Sequence, residues 1–200
     1  KKLRTMDLTR NDLSGTLPTV VSEMSFLNRL ALAYNEFYGD LPSQLTRLSK
    51  LTVIIVDHNS LSGTIPIEFY TMTQLRDFNI DANRFSGHLL SNISQLVLLG
   101  QLHVAGNRLS GPIPGSLSEL SQLNELRLSN NSFRGEIPLT FSSMPNLRIF
   151  DISTNDFEGI IPNSLFEMDQ LNYLSLNNNR FSGQIPPTIG NMTNLINLDM

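Results

Sequence analysis

The chain has 200 residues, 40% hydrophobic and 16% charged, a composition able to bury a continuous core. Its net charge of −4 lacks the basic footprint that phosphate groups attract, so neither nucleic acid nor an anionic membrane is expected to contact this segment. The lack of cysteine excludes disulfides, thiolate metal sites and a cysteine nucleophile, and no apolar run approaches the roughly 18 residues of a membrane-spanning helix.

From Leu3 onward the chain reads as units of 24 residues, each opened by leucine: Leu3, Leu27, Leu51, Leu75, Leu99, Leu123, Leu147, Leu171 and Leu195. In the first unit Met6 and Leu8, at positions four and six, flank polar Asp7, the alternation of a short strand with one buried face. Asn11 follows at position nine, Leu13 at eleven, Gly15 at thirteen and Pro18 at sixteen, before apolar Val21 and Met24 on the return. The second unit repeats this with Leu30, Leu32, Asn35, Phe37, Gly39 and Pro42, and the third with Ile54, Val56, Asn59, Leu61, Gly63 and Pro66. Tyr38 stands where most units have serine, and its ring is expected on the lateral surface. The fourth unit keeps Asn83 and Gly87 but has His88-Leu89-Leu90 in place of x-Ile-Pro. Leu90 frees φ and restores a main-chain donor, so the outer segment of this unit is expected to be locally irregular. Units five to eight return to the pattern, with Asn107, Asn131, Asn155 and Asn179 in register, and residues 195–200 begin a ninth.

Apolar residues spread round a whole unit face inward, and one coil cannot bury them without neighbours above and below. The fixed polar columns have structural reasons of their own. Main-chain groups left unpaired where the strand turns away can be met by an asparagine amide, which donates and accepts at once, in its own coil and the next. Glycine suits a bend with positive φ, and proline fixes φ while removing a donor.

Leu123-Asn124-Glu125-Leu126-Arg127-Leu128-Ser129-Asn130-Asn131-Ser132-Phe133 fits the L-x-x-L-x-L-x-x-N-x-L segment of the leucine-rich repeat. Leu61-Ser62-Gly63-Thr64-Ile65-Pro66 and Phe181-Ser182-Gly183-Gln184-Ile185-Pro186 resemble the L-S-G-x-I-P signature of its plant-type subclass. The resemblance implies an α/β solenoid, a right-handed superhelix of eight repeats and the start of a ninth, with a parallel sheet on the concave face and an irregular or 3-10 outer arc. Residues 1–200 are expected to be one such domain, a fragment of a longer array, because the family's capping repeats with paired cysteines are missing. The family further implies an extracellular glycoprotein that recognises a protein or peptide, most often as the ectodomain of a receptor-like kinase or receptor-like protein, with any membrane anchor outside this segment. Two other uses of the same scaffold are a secreted inhibitor similar to the polygalacturonase-inhibiting proteins and a structural or adhesive wall protein.

Positions three, five, seven and eight are expected to face outward on the concave sheet, where folding does not dictate their identity. There Val53 and Ile55 place apolar side chains among Tyr34, Asp57, His58, Asp77, Asn79 and Asp81, with His103 one coil further. Small Ala31, Ala33, Ala82, Ala105 and Gly106 leave shallow space beside them, and apolar anchors with a polar rim form a binding patch. Asp57 and Asp81 share position seven in adjacent coils, close enough to couple their titration, but an open face lacks the enclosure that acid–base catalysis requires. His58 and His103 lie two coils, roughly 10 Å, apart, too far to share a metal. Neither enzymatic activity nor a cofactor is expected. N-glycosylation sequons begin at Asn92 and Asn191 on the outer arc and at Asn130 on the sheet edge, in the number that composition alone gives.

Overall fold

The computed structural model describes residues 2–200. Nine strands, Thr5–Asp7, Arg29–Ala31, Val53–Ile55, Asp77–Asn79, Gln101–His103, Glu125–Arg127, Ile149–Asp151, Tyr173–Ser175 and Asn197–Asp199, form one parallel sheet in sequential order. The register advances by one repeat at each step, so that Met6 lies opposite Leu30, Leu30 opposite Ile54 and Leu174 opposite Leu198. Position four therefore stacks on position four along the array. Its side chains from Leu30 to Leu174 are at most 2% exposed, each contributing about 1.5 to 3 kcal/mol by leaving water. In the first coil Leu3, Leu8 and Leu13 are 42%, 39% and 39% exposed.

The outer arc of every coil is a short 3-10 turn, from Thr19–Glu23 to Pro187–Asn191, with no α-helix among the described residues. Proline with φ between −72° and −60° precedes seven of the eight turns. Leu90 precedes the other at φ −87° and ψ 154°, still extended, and the turn Ser91–Gln95 forms as elsewhere. The irregularity expected of the fourth coil is thus small. Its extra donor, the Leu90 N–H, reaches the hydroxyl of buried Tyr70 in the preceding coil at 3.4 Å.

A second layer of strands, absent from the sequence reading, runs along the flank. Ser14–Thr16, Glu36–Asp40 and Ser60–Ser62 form one group, the strands from Ser86–Gly87 to Arg180–Ser182 another, and a Thr64–Ser86 bridge joins them. Their pairs, such as Gly15 with Phe37 and Ser110 with Ser132, are 22 residues apart rather than 24. This layer therefore slides two residues against the concave sheet at each coil. The bend depends on glycine at position thirteen: Gly111 has φ 80°, and a Cβ there would lie 2.5 Å from the His88 ring of the preceding coil. Tyr38 projects from this flank and is 54% exposed.

Asparagine at position nine closes the turn between the two layers. Asn107 Nδ2 donates to the carbonyls of Val104 and Ala105 in its own coil and of Ile80 in the preceding one, and its Oδ1 accepts the Phe85 N–H. The other bonded coil is the preceding one, not the following one expected from the sequence. The reason is reach: Oδ1 meets the position-eleven N–H of the coil behind it, as in Asn83 with Leu61 and Asn155 with Phe133.

Candidate functional site

Between the strand and the ladder asparagine the chain turns through a left-handed residue. Position eight has φ between 49° and 62° in all eight coils, although it is occupied by Arg10, Tyr34, His58, Ala82, Gly106, Asn130, Thr154 and Asn178. Few non-glycine residues adopt this region, and only the repeated ladder around them fixes it. Tyr34 and His58 consequently leave the sheet margin side by side, their rings stacked with centroids 4.1 Å apart and planes 13° apart. The Arg10 guanidinium sits 5.3 Å from the Tyr34 ring centre on the other side.

Asp57 belongs beneath this pile rather than on the open face. It is 6% exposed, and its Oδ2 accepts a 2.9 Å hydrogen bond from His58 Nδ1. Ala31 and Ala33, expected to leave shallow space, are also buried, at 1% and 3%. Ala31 lies opposite Ile55, and longer side chains in neighbouring coils close over such small residues. Ala82, Ala105 and Gly106 remain partly exposed.

Val53, Ile55, Asp77, Asn79, Asp81 and His103 do share the concave face, each half-buried. Val53 pairs with Asp77, and Ile55 with Asn79, whose Oδ1 accepts the N–H of Asp81. Burial pushes the Asp77 carboxyl up to about 6, opposed by Arg29 and reinforced by Glu125 and Asp57. Its Oδ1 is buried with no hydrogen-bond partner among the described residues. Asp81 is likewise raised to about 6 by burial, against the Ala105 N–H that bonds its Oδ1 at 2.5 Å, with the Asp57 charge adding to the rise. The coupling expected between Asp57 and Asp81 is therefore present, but burial is the larger cause. His103 is shifted down by burial, against the Glu125 carboxylate 3.1 Å from its Nε2.

Glu125 is the residue the sequence reading passed over. It holds His103, Gln101 at 3.4 Å and Arg127 at 3.6 Å in one network. Its signal was available: positions five and three of successive coils are diagonal neighbours across parallel strands. Beyond it an open groove of about 690 Å³ runs over coils six to nine between Glu125, Arg148, Ile149 and Tyr173, outside the expected patch. Among the described residues no three His, Asp or Glu side chains converge as metal ligands, and no helix is long and apolar enough to cross a membrane. Asn92 and Asn191 lie in outer 3-10 turns, the first half-buried and the second exposed, and Asn130 is exposed at position eight.

A 24-residue coil with an inward leucine set, an asparagine ladder and a concave parallel sheet defines a leucine-rich repeat solenoid. Family models described as leucine rich repeat match residues 121–181 and residues 2–24 and 99–120, and the chain belongs to that family. Among solved structures it is similar to the Arabidopsis receptor kinase HAESA, in complex with the peptide hormone IDA and the co-receptor SERK1, at 34% identity over 100% of this chain and 33% of that one, with a TM-score of 0.95. It is also similar to the ectodomain of the Arabidopsis thaliana receptor kinase GASSHO1/SCHENGEN3 in complex with CASPARIAN STRIP INTEGRITY FACTOR 2, at 34% identity over 94% of this chain and 23% of that one, with a TM-score of 0.91. A third likeness is to the plant peptide hormone receptor RGFR1 in complex with RGF2, at 32% identity over 96% and 35%, with a TM-score of 0.83. The chain thus spans a third or so of these receptors' solved lengths, or less. No curated protein matches it.

Proposed function

We propose that this segment is part of an extracellular recognition module of a cell-surface receptor, and that it takes a protein or peptide on the concave face of coils two to five. The observation that carries the reading is the concave row itself. Val53, Ile55 and Asp77 tie no main-chain group of the coil, and with Asn79 and Asp81, which accept the N–H groups of Asp81 and Ala105, they gather apolar anchors and raised carboxyls on one half-buried surface. The likeness of the whole chain to receptors solved with peptide ligands supports it, and the exposed sequon residue Asn191 on the outer arc suits a secreted surface.

Carboxylates on this face favour a ligand with a basic or amine group, and such pairs at an open surface weaken as salt screens them. Peptides selected from a displayed library against the chain should bind less well to Ile55→Ala and Asp81→Ala and equally well to Tyr173→Ala, with affinity falling between low and high salt. Loss confined to the Tyr173→Ala variant, or salt-independent binding, would move the site to the groove of coils six to nine.

A further inference from the structure

The pile at position eight stops abruptly. Arg10, Tyr34 and His58 stack in three successive coils, and the next two coils offer only Ala82 and Gly106. Because φ at this position is left-handed throughout, the Cα–Cβ bonds leave the backbone in the same way in every coil. A Cβ at Gly106 would lie 3.4 Å from the Ala82 backbone and 3.8 Å from Asn130 Nδ2. Side chains here thus lean over the coil before them, and the Asn130 amide already leans over Gly106. What remains is a gap with the His58 ring at one end and the Asn130 amide at the other, three coils apart, or about 14 Å at the usual strand spacing. Buried Asp57 bonds the His58 ring at 2.9 Å and so holds its plane in line with the pile.

We propose that this gap is a subsite for one aromatic side chain, tyrosine or tryptophan, of a polypeptide ligand, which extends the pile by stacking on His58 above Ala82. The inference rests on the reading of the concave face as a polypeptide site and adds the ligand residue that would meet its margin. An aromatic ring fits better than a guanidinium because the floor is a methyl group and a bare glycine Cα. Asp57, the carboxylate bonded to the His58 ring, is buried and already taken up by it. A stacked pair in offset geometry strengthens binding by about 2- to 10-fold beyond the surface it covers.

The test is an NMR titration of the three histidine imidazoles with N-acetyl-tryptophan amide, using N-acetyl-leucine amide and N-acetyl-arginine amide as controls. The expected result is a saturable upfield ring-current shift of the His58 ring protons, with His88 and His103 unmoved and neither control shifting His58 in the same way. Ala82→Phe places a ring of the chain's own in the gap at a conformation Tyr34 and His58 already tolerate, and it should abolish the shift. Gly106→Asn, with a residue type already found at this φ in Asn130 and Asn178, should weaken it and serves should the first variant not fold. Equal shifts at all three histidines, an equal response to the arginine amide, or an unchanged response in both variants overturns the subsite. The probe separates this from the parent reading: amide binding without any polypeptide bound leaves the subsite and removes the receptor function. Polypeptide binding that Ile55→Ala weakens and Ala82→Phe does not touch removes only the subsite.

Discussion

At the scale of single residues, one asparagine per coil answers main-chain groups from two coils at once. Asn107 serves Ile80, Val104, Ala105 and Phe85, and its removal leaves the Phe85 N–H without a partner, while each of the three carbonyls keeps one other donor. Asn107→Ala should therefore cost about 1 to 3 kcal/mol, whereas Asn124→Ala, at half-buried position two and outside the ladder, should stay within about 0.5 kcal/mol. Denaturant titrations of the two variants read this directly, and equal midpoints with unchanged slopes would remove the ladder from the account of stability. The column was legible in the sequence because a polar residue recurring among apolar ones at fixed spacing has a local reason. Asp57 was not legible in the same way. Its identity is open on the strand, and its partner is the His58 ring stacked on Tyr34, at a left-handed backbone position that no sequence motif announces.

At the scale of the coil, the fourth repeat carries a compensated defect. Without proline at position sixteen the Leu90 N–H needs an acceptor, and the preceding coil supplies a tyrosine hydroxyl at position twenty, where four other coils have Ser and two have Thr and Phe. Burial pushes the Tyr70 phenol above its usual range, against the hydrogen bond from Leu90, so the hydroxyl remains a neutral partner. Tyr70→Phe should cost about 1 kcal/mol by leaving that N–H unsatisfied. Adding Leu90→Pro, which deletes the donor at φ −87°, close to the proline range, should recover most of the loss. A double-mutant cycle with additive effects would show that the two residues do not act as a pair. The strands and inward columns of each coil followed from the 24-residue period, and the 3-10 turns from the resemblance to the leucine-rich repeat. The flanking strands did not, because their residues alternate no clear hydrophobicity and pair through a glycine bend at a different register. The pairing of Tyr70 with Leu90 was half visible: the missing proline was plain, but its acceptor lies 20 residues earlier in another coil.

At the scale of the whole molecule, the concave face trades stability for charge. Asp77 and Asp81 titrate at about 6 in the folded chain against 3.8 for a free aspartate. Between those values the folded state holds more protons than the unfolded state, so both groups lower the unfolding free energy as pH rises through 3.8 to 6. Asp7, whose carboxyl is held low by the Thr9 hydroxyl and N–H, and His103, shifted down by burial, slope the other way, so the total curve mixes both signs. A double Asp77→Asn, Asp81→Asn variant isolates the pair. It should be more stable than the parent at pH 7, on the order of 1 to 2 kcal/mol after allowance for partial solvent exposure, with the difference shrinking toward zero near pH 4. A surface that gives up stability at neutral pH has a use for the charge, and that use makes the opposite prediction for binding. Affinity for a basic peptide should rise as pH passes 6 and both carboxylates ionise, and the double variant should lose that rise while keeping the parent's affinity near pH 4. Matched denaturation and binding measurements at the two pH values decide the matter, and a variant that gains no stability at pH 7, or binds a basic peptide as the parent does there, would leave the acidic face without this role.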